Sequence, residues 1–206
     1  MTAHPDSAVE IAAGFPDPVL DSQAAFRAIL DAMAHPGRIA TVGMELSPPA
    51  PLAPASLACV LSLCDHETPL WLDDAASSLA ASFRFHCGAP LVGAPDRAAF
   101  ALCCGPLPAL VGFGQGTAEY PEHSTTVICQ VSALGDGVPM TLRGPGIDGS
   151  QQLSVAGLPD DFSAQWAANG ALFPQGVDVI LTQGQRLVAL PRSVKIEPEI
   201  GTCMSR

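Results

Sequence analysis

Apolar side chains first return at helical spacing in Phe26, Ile29, Leu30 and Met33, so a helix is predicted from Asp21, its cap, to Met33 with these four facing inward. His35-Pro36-Gly37 ends it, and Arg38 to Val42 reads as a strand. Four prolines between Ser47 and Pro54 make a rigid surface loop. Pro54 opens a second helix with Leu57, Val60, Leu61 and Cys64 inward. Pro69 to Asp73 is a short strand, and Asp74 caps a third helix reaching about His86. Ala99 to Cys103 is a buried type of strand, and β-branched residues make Thr125 to Val131 another. Pro139 to Arg143 and Gln151 to Val155 flank the turn Gly144-Pro145-Gly146. A helix starts at Asp160 or Asp161, with Phe162 and Trp166 one turn apart. Val177 to Thr182 and Arg186 to Leu190 form a hairpin across Gln183-Gly184-Gln185, and Val194 to Ile196 is a last strand.

Helices and strands alternate early and strands cluster late. This predicts an α/β fold of three layers, α/β/α, around a mixed sheet with helices on both faces. The 206 residues suit a single domain over 1–206, with a loose arm over 1–16 and a flexible tail over 197–206. Hydrophobic residues are 48% of the chain against 14% charged, so either a partner covers part of the surface or the chain is merely rich in alanine and proline. With 20 acidic and 9 basic residues the net charge is −11, which repels phosphate backbones and argues against nucleic acid. No apolar run reaches the about 18 residues of a membrane span, and Met1 to Ala13 has no signal-peptide pattern, so a cytoplasmic protein away from membranes is expected. Seven cysteines without a CxxC pair read mostly as small buried hydrophobes.

Lys195 is the only lysine. A P-loop needs Gly-Lys-Ser/Thr and pyridoxal chemistry needs a Schiff-base lysine with phosphate-cradling glycines, and Lys195 has neither context. Cys103 and Cys104 point to opposite sides of a strand and cannot hold a cluster together. Asp65-His66-Glu67 and His86-Cys87 lack the helical spacing of zinc ligands. No cofactor, no metal and no catalytic residue is therefore expected. Cys87 with His86 or His123 as base is the rival enzymatic reading, set against a buried structural thiol. The expected ligand site is a cleft where Arg84, His86, Tyr120, Glu122 and Arg143 converge. Arginine suits carboxylate or phosphate recognition, and Gly112 to Thr117 would lend backbone donors. The plain alternative for each is an ordinary turn or a structural ion pair, such as Arg143 with Glu122.

Six blocks occur in a telling order: Gly14 to Gln23, with Phe26-Arg27, Ala32-Met33 and Pro36-Gly37; Phe85 to Leu91; Gly116 to Glu122; Leu142 to Ile147; Phe173 to Asp178; and Leu190-Pro191-Arg192. Together, over roughly residues 14 to 193, they resemble the H subunit of the carbon–phosphorus lyase core complex of bacterial phosphonate use. The resemblance implies a fold similar to pyridoxal-phosphate transferases without the cofactor. It also implies a homodimer when alone, and assembly with G, I and J subunits. That assembly joins a phosphonate to the ribose of ATP with displacement of adenine, yielding a ribose 1-phosphonate 5-triphosphate. The H subunit itself is implied to be non-catalytic, the other reading being a nucleotide- or phosphonate-binding module with a remnant pocket. The chain departs from the family pattern at Gln175, where a basic residue is expected.

Overall fold

The computed structural model describes residue 11 and residues 13–197. The expected loose arm falls mostly outside these, and the tail entirely so apart from Glu197. In chain order the helices and strands are α1 (Pro18–Ala34), β1 (Ala40–Thr41), α2 (Pro54–Leu63), β2 (Leu70–Leu72), α3 (Ala80–Cys87), β3 (Phe100–Cys103) and β4 (Thr126–Gln130). Then come β5 (Ala133–Arg143), β6 (Gln151–Ala156), α4 (Phe162–Ala171), β7 (Asp178–Gln183), β8 (Arg186–Leu190) and β9 (Lys195–Glu197).

A six-stranded mixed sheet, ordered β1-β8-β7-β4-β3-β2, forms the middle layer. Strands β2, β3, β4 and β7 are parallel, while β8 and β1 close one side antiparallel. Alternate residues feed two separate cores. Leu102, Ile128 and Ile180 join the core shared with α1, α2 and α3. Ala101, Cys103, Val127, Cys129, Val179 and Leu181 join the opposite one. Both faces are covered, which is why these strands read as continuous apolar runs. Cys103 and its neighbour Cys104 do pack toward opposite cores.

The third layer departs from expectation. It is mainly a second, three-stranded antiparallel sheet, β6-β5-β9, accompanied by α4, rather than helices alone. The eleven-residue β5 alternates buried Met140 and Leu142 with more open neighbours, so it covers the middle sheet with one face and meets water with the other. The second core is completed by Phe162 and Trp166 of α4, the indole donating to the Val194 carbonyl at 2.9 Å.

Helix starts also differ from the sequence reading. Asp17, not Asp21, caps α1: its carboxylate accepts from the amides of Val19 and Leu20 at 3.0 and 2.9 Å, with Pro18 in the first turn. Asp21 instead accepts from the Asp17 amide. Asp73, not Asp74, accepts from Ala76 and opens a six-residue 3-10 turn that leads into α3. The buried stripe of α1 is Ala25, Ile29 and Ala32, and Phe26 and Leu30 stay 47% and 55% exposed. Small residues on the inward side let α1 lie close against α2 and β8. The bulky side chains of Phe26 and Leu30 are turned outward.

Candidate functional site

In open α/β sheets, ligands commonly bind beyond the carboxyl ends of the strands. Here the polar groups at those ends are spent on the chain itself. Gln130, at the end of β4, accepts from the Ala53 amide and the Ser56 hydroxyl and donates to the Pro51 carbonyl at 2.9 Å. It thereby caps α2, whose own cap position is an alanine, and docks the proline-rich loop over the strand ends. Thr182 of β7 is fully buried and bonds Ser56 at 2.7 Å. Asp73, beyond β2, accepts from the Gly105 amide at 2.7 Å and so ties the ends of β2 and β3 together.

The most constrained charge lies on the other side of the molecule. Arg192, just after β8, forks onto Asp178 of β7, its Nε lying 3.1 and 3.2 Å from the two carboxylate oxygens. Both side chains are about 15% exposed (15% and 14%), so each charge depends on the other. Asp178 also accepts from the Arg192 amide at 2.7 Å. The guanidinium donates onward to the Pro121 carbonyl at 2.8 Å. Gln175 donates to the Gly116 carbonyl at 3.0 Å, and the Gly176 amide donates to Gln115. Three blocks distant in sequence, 116–122, 173–178 and 190–192, thus meet at one junction. The amide at position 175 has a definite use there, holding the 116–122 loop. Gly176 is required: its φ is +114° and a Cβ would lie 2.9 Å from the Asn169 side chain. Asn169 in turn clamps the amide and carbonyl of Val177.

Beside this junction, between the end of α4 and β9, opens a cleft of about 650 Å³. Trp166, Gly170 and Phe173 form one wall, Arg192 and Lys195 another, and Pro145 lies at its rim.

The five residues expected to share a ligand site do not converge. Arg84 and His86 lie on α3, whose Phe83 packs in the helical core, while Arg143 ends β5, whose Leu142 packs in the opposite core. The six-stranded sheet stands between them, so the single cleft is corrected to separate locations. Arg143 pairs with Glu197 rather than Glu122, and donates to the Gly149 carbonyl at 2.9 Å. His86 lies against Gly14 and lines a small cleft of about 320 Å³ with Phe15, Pro18 and Leu61. Tyr120 stacks on His123, ring centroids 5.1 Å apart, and is exposed, as is Glu122.

The glycine-rich loop spends its donors internally. Gly112, Phe113 and Thr117 bond backbone carbonyls, and Gly114 bonds the Thr125 hydroxyl at 3.1 Å. The turn Gly144-Pro145-Gly146 answers to packing: a Cβ on Gly146 would lie 2.1 Å from the Ala34 carbonyl. Burial pushes the Cys87 thiol up to about 11, with Asp65 adding to the shift, which leaves it protonated and poorly nucleophilic at neutral pH. Cys59 and Cys129 rise to about 12 for the same reason. Among the described residues no three His, Cys, Asp or Glu side chains gather where a metal ion could sit. No helix among them is long and apolar enough to cross a membrane.

Arg192 and Asp178 were not singled out as site residues from sequence. Both stand inside the blocks that carried the family resemblance, which was the available signal.

Fold and site together define a mixed α/β domain with two closed cores, whose strand-end groups serve packing and whose open cleft lies off the central sheet. The family described as bacterial phosphonate metabolism protein (PhnH) matches residues 13–197, and the chain belongs to it. Over 189 residues it is 43% identical to the Alpha-D-ribose 1-methylphosphonate 5-triphosphate synthase subunit PhnH of Rhizobium meliloti (strain 1021), covering 90% of this chain and 94% of that protein. It is 33% identical to HtxG of Stutzerimonas stutzeri, whose name places it with C-P lyase subunits, covering 84% of this chain and 85% of that one.

Proposed function

We propose that this chain is a non-catalytic subunit of the assembly that makes α-D-ribose 1-methylphosphonate 5-triphosphate, the synthase named for its Rhizobium relative. In this reading the assembly transfers a phosphonate to the ribose of ATP and releases adenine, in the cytoplasm, with G, I and J subunits as partners. Alone, the chain pairs with a second copy. The observation that carries the reading is the outer face of α1. Both cores are closed, yet Val19, Leu20, Phe26 and Leu30 remain 75%, 63%, 47% and 55% exposed on one helix. Phe85 of α3 adds another ring, 71% exposed. Apolar surface of this kind marks protein contact. The strand-end polar groups consumed by Pro51, Ala53 and Gly105 support a supporting rather than catalytic role.

The test is co-expression with tagged G, I and J subunits. The wild-type chain is expected to co-purify, and the Phe26→Asp/Leu30→Asp variant to be lost from the complex while its melting temperature holds. Retention of that variant at wild-type level would remove α1 from the contact. The isolated chain, given ATP and methylphosphonate, is expected to release no adenine, and release above a nucleosidase-free control would refute the non-catalytic role.

A further inference from the structure

The loop over residues 115–123 is held more firmly than its share of the core explains. Replacing a buried ion pair by apolar side chains of similar size is often neutral or stabilising, so the Arg192–Asp178 pair is of small use to the fold alone. Its remaining donors point to another use. One guanidinium nitrogen of Arg192 donates to the Pro121 carbonyl at 2.8 Å and to the Pro174 carbonyl at 3.4 Å. Beside it the Gln175 side chain and the Gly176 amide hold the carbonyls of Gly116 and Gln115 at 3.0 and 2.9 Å. The loop also closes on itself. The Thr117 amide donates to the Tyr120 carbonyl at 3.1 Å, and the Tyr120 amide to the Thr117 hydroxyl at 3.0 Å. Gly116 has a φ of +71°, and a Cβ there would lie 2.7 Å from the Pro121 carbonyl.

What these bonds hold is surface. Thr117 to Tyr120, Glu122 and His123 are exposed and join neither core. Ordering such a segment costs conformational entropy, and no apolar burial offsets it here. Tyr120 is 56% exposed, yet its ring is fixed by stacking on His123. Phe173, 63% exposed, belongs to the same surface, because a single nitrogen of Arg192 joins the carbonyls of Pro121 and Pro174. Glu119 and Glu122 flank the tyrosine, and residues 115–123 include neither lysine nor arginine. Tyr120 lines neither cleft described above, so a small molecule is not its partner. The two carboxylates repel phosphate backbones and anionic membranes. A protein surface remains. Rings held in place before contact lose little entropy on docking, and tyrosine is a common anchor of protein interfaces.

We propose that the 115–123 loop docks onto a basic surface of a partner protein, with Tyr120 seated in a recess of that surface and Glu119 and Glu122 meeting its arginine or lysine side chains. The proposal rests on the subunit reading but not on α1. It adds a second contact of different chemistry, acidic and aromatic where the outer face of α1 is mainly aliphatic.

The test follows binding of the full chain to the purified assembly of G, I and J subunits, with association and dissociation rates measured at low and high salt. Tyr120→Ala should speed dissociation about tenfold or more, the size of effect that an aromatic anchor gives. Glu119→Arg/Glu122→Arg should slow association about tenfold at low salt and flatten its salt dependence, because charges of this kind act mainly on encounter. All three side chains are exposed, so both variants should melt with the wild type. Unchanged kinetics in either variant overturns the proposal, and the subunit reading survives if the wild-type chain still binds. Faster association after charge reversal would mean an acidic partner face and overturns it too. Loss of self-association in Tyr120→Ala, read by light scattering while binding to the assembly holds, would assign the loop to a second copy instead. A wild-type chain that does not bind the assembly at all refutes both readings.

Discussion

The two outer layers close their cores by opposite means. Under α1 the contact is made by Ile29 between the small residues Ala25 and Ala32, so the helix lies close to its neighbours. Its bulky side chains are then left outside, as an apolar face. Under α4 the contact is made with the large rings of Phe162 and Trp166, which fill the second core, and a cleft opens between the helix end and β9. The space left there is a cleft rather than a face. One layer thus presents an apolar face suited to a protein, and the other a recess of small-molecule size.

The largest expected effect comes from alkali, which attacks both layers alike. Cys59 and Cys87 belong to the helical side and Cys129 to the other, and burial raises all three above the ordinary thiol range. A folded-state pKa above the unfolded value means that the native state keeps its protons longer. The stability from the protonated thiols is therefore complete below about pH 8.5, where unfolded thiols titrate, and falls from there toward pH 11. Melting temperatures between pH 7 and 10.5 should decline steeply above pH 8.5, and a flat profile would refute the assignment.

Next is the Arg192–Asp178 junction, which belongs to the sheet-and-α4 layer. Arg192→Met leaves Asp178 buried without its partner and should cost about 3 kcal/mol or more, lowering the melting temperature by about 6–12 °C. It also releases the Pro121 carbonyl, so limited proteolysis should speed up within residues 116–122 before it does so elsewhere.

The comparison is sharpened by a pair of substitutions on α1. Ile29→Ala empties the helical core and should cost about 3 kcal/mol, whereas Phe26→Ala should cost about 1 kcal/mol or less in the isolated chain while weakening association. Urea denaturation and light scattering read the two effects separately, and equal destabilisation would erase the distinction between inner and outer faces. The smallest effect is reserved for Arg143→Ala. Its ion pair is about half exposed, so about 0.5 kcal/mol is expected by urea denaturation.

Much of the fold was legible residue by residue. The order of helices and strands follows from apolar spacing, the hairpin at Gln183-Gly184-Gln185 appears as expected, and Cys103 and Cys104 point apart. Caps were missed by one to four residues, because Asp17 and Asp21, like Asp73 and Asp74, offer near-equivalent acceptors and the flanking chain path selects between them. The expected convergence of five residues in one cleft failed for a similar reason. Arg84 and Arg143 are each plausible beside a turn or helix end, but nothing local states which face of the sheet an element will occupy.

By itself, then, the sequence determined where the chain is helical or extended, which strands are buried on both faces, and its family, because these depend on spacing, β-branching and ordered motifs within a few residues. Tertiary structure alone decided three further features. It turned Phe26 and Leu30 outward, since the inward face of α1 was chosen by how closely its neighbours could approach. It drew β5, β6 and β9 into a separate sheet. It also brought Arg192 onto Asp178, because a charge removed from water is stable only where the folded chain delivers its counter-charge.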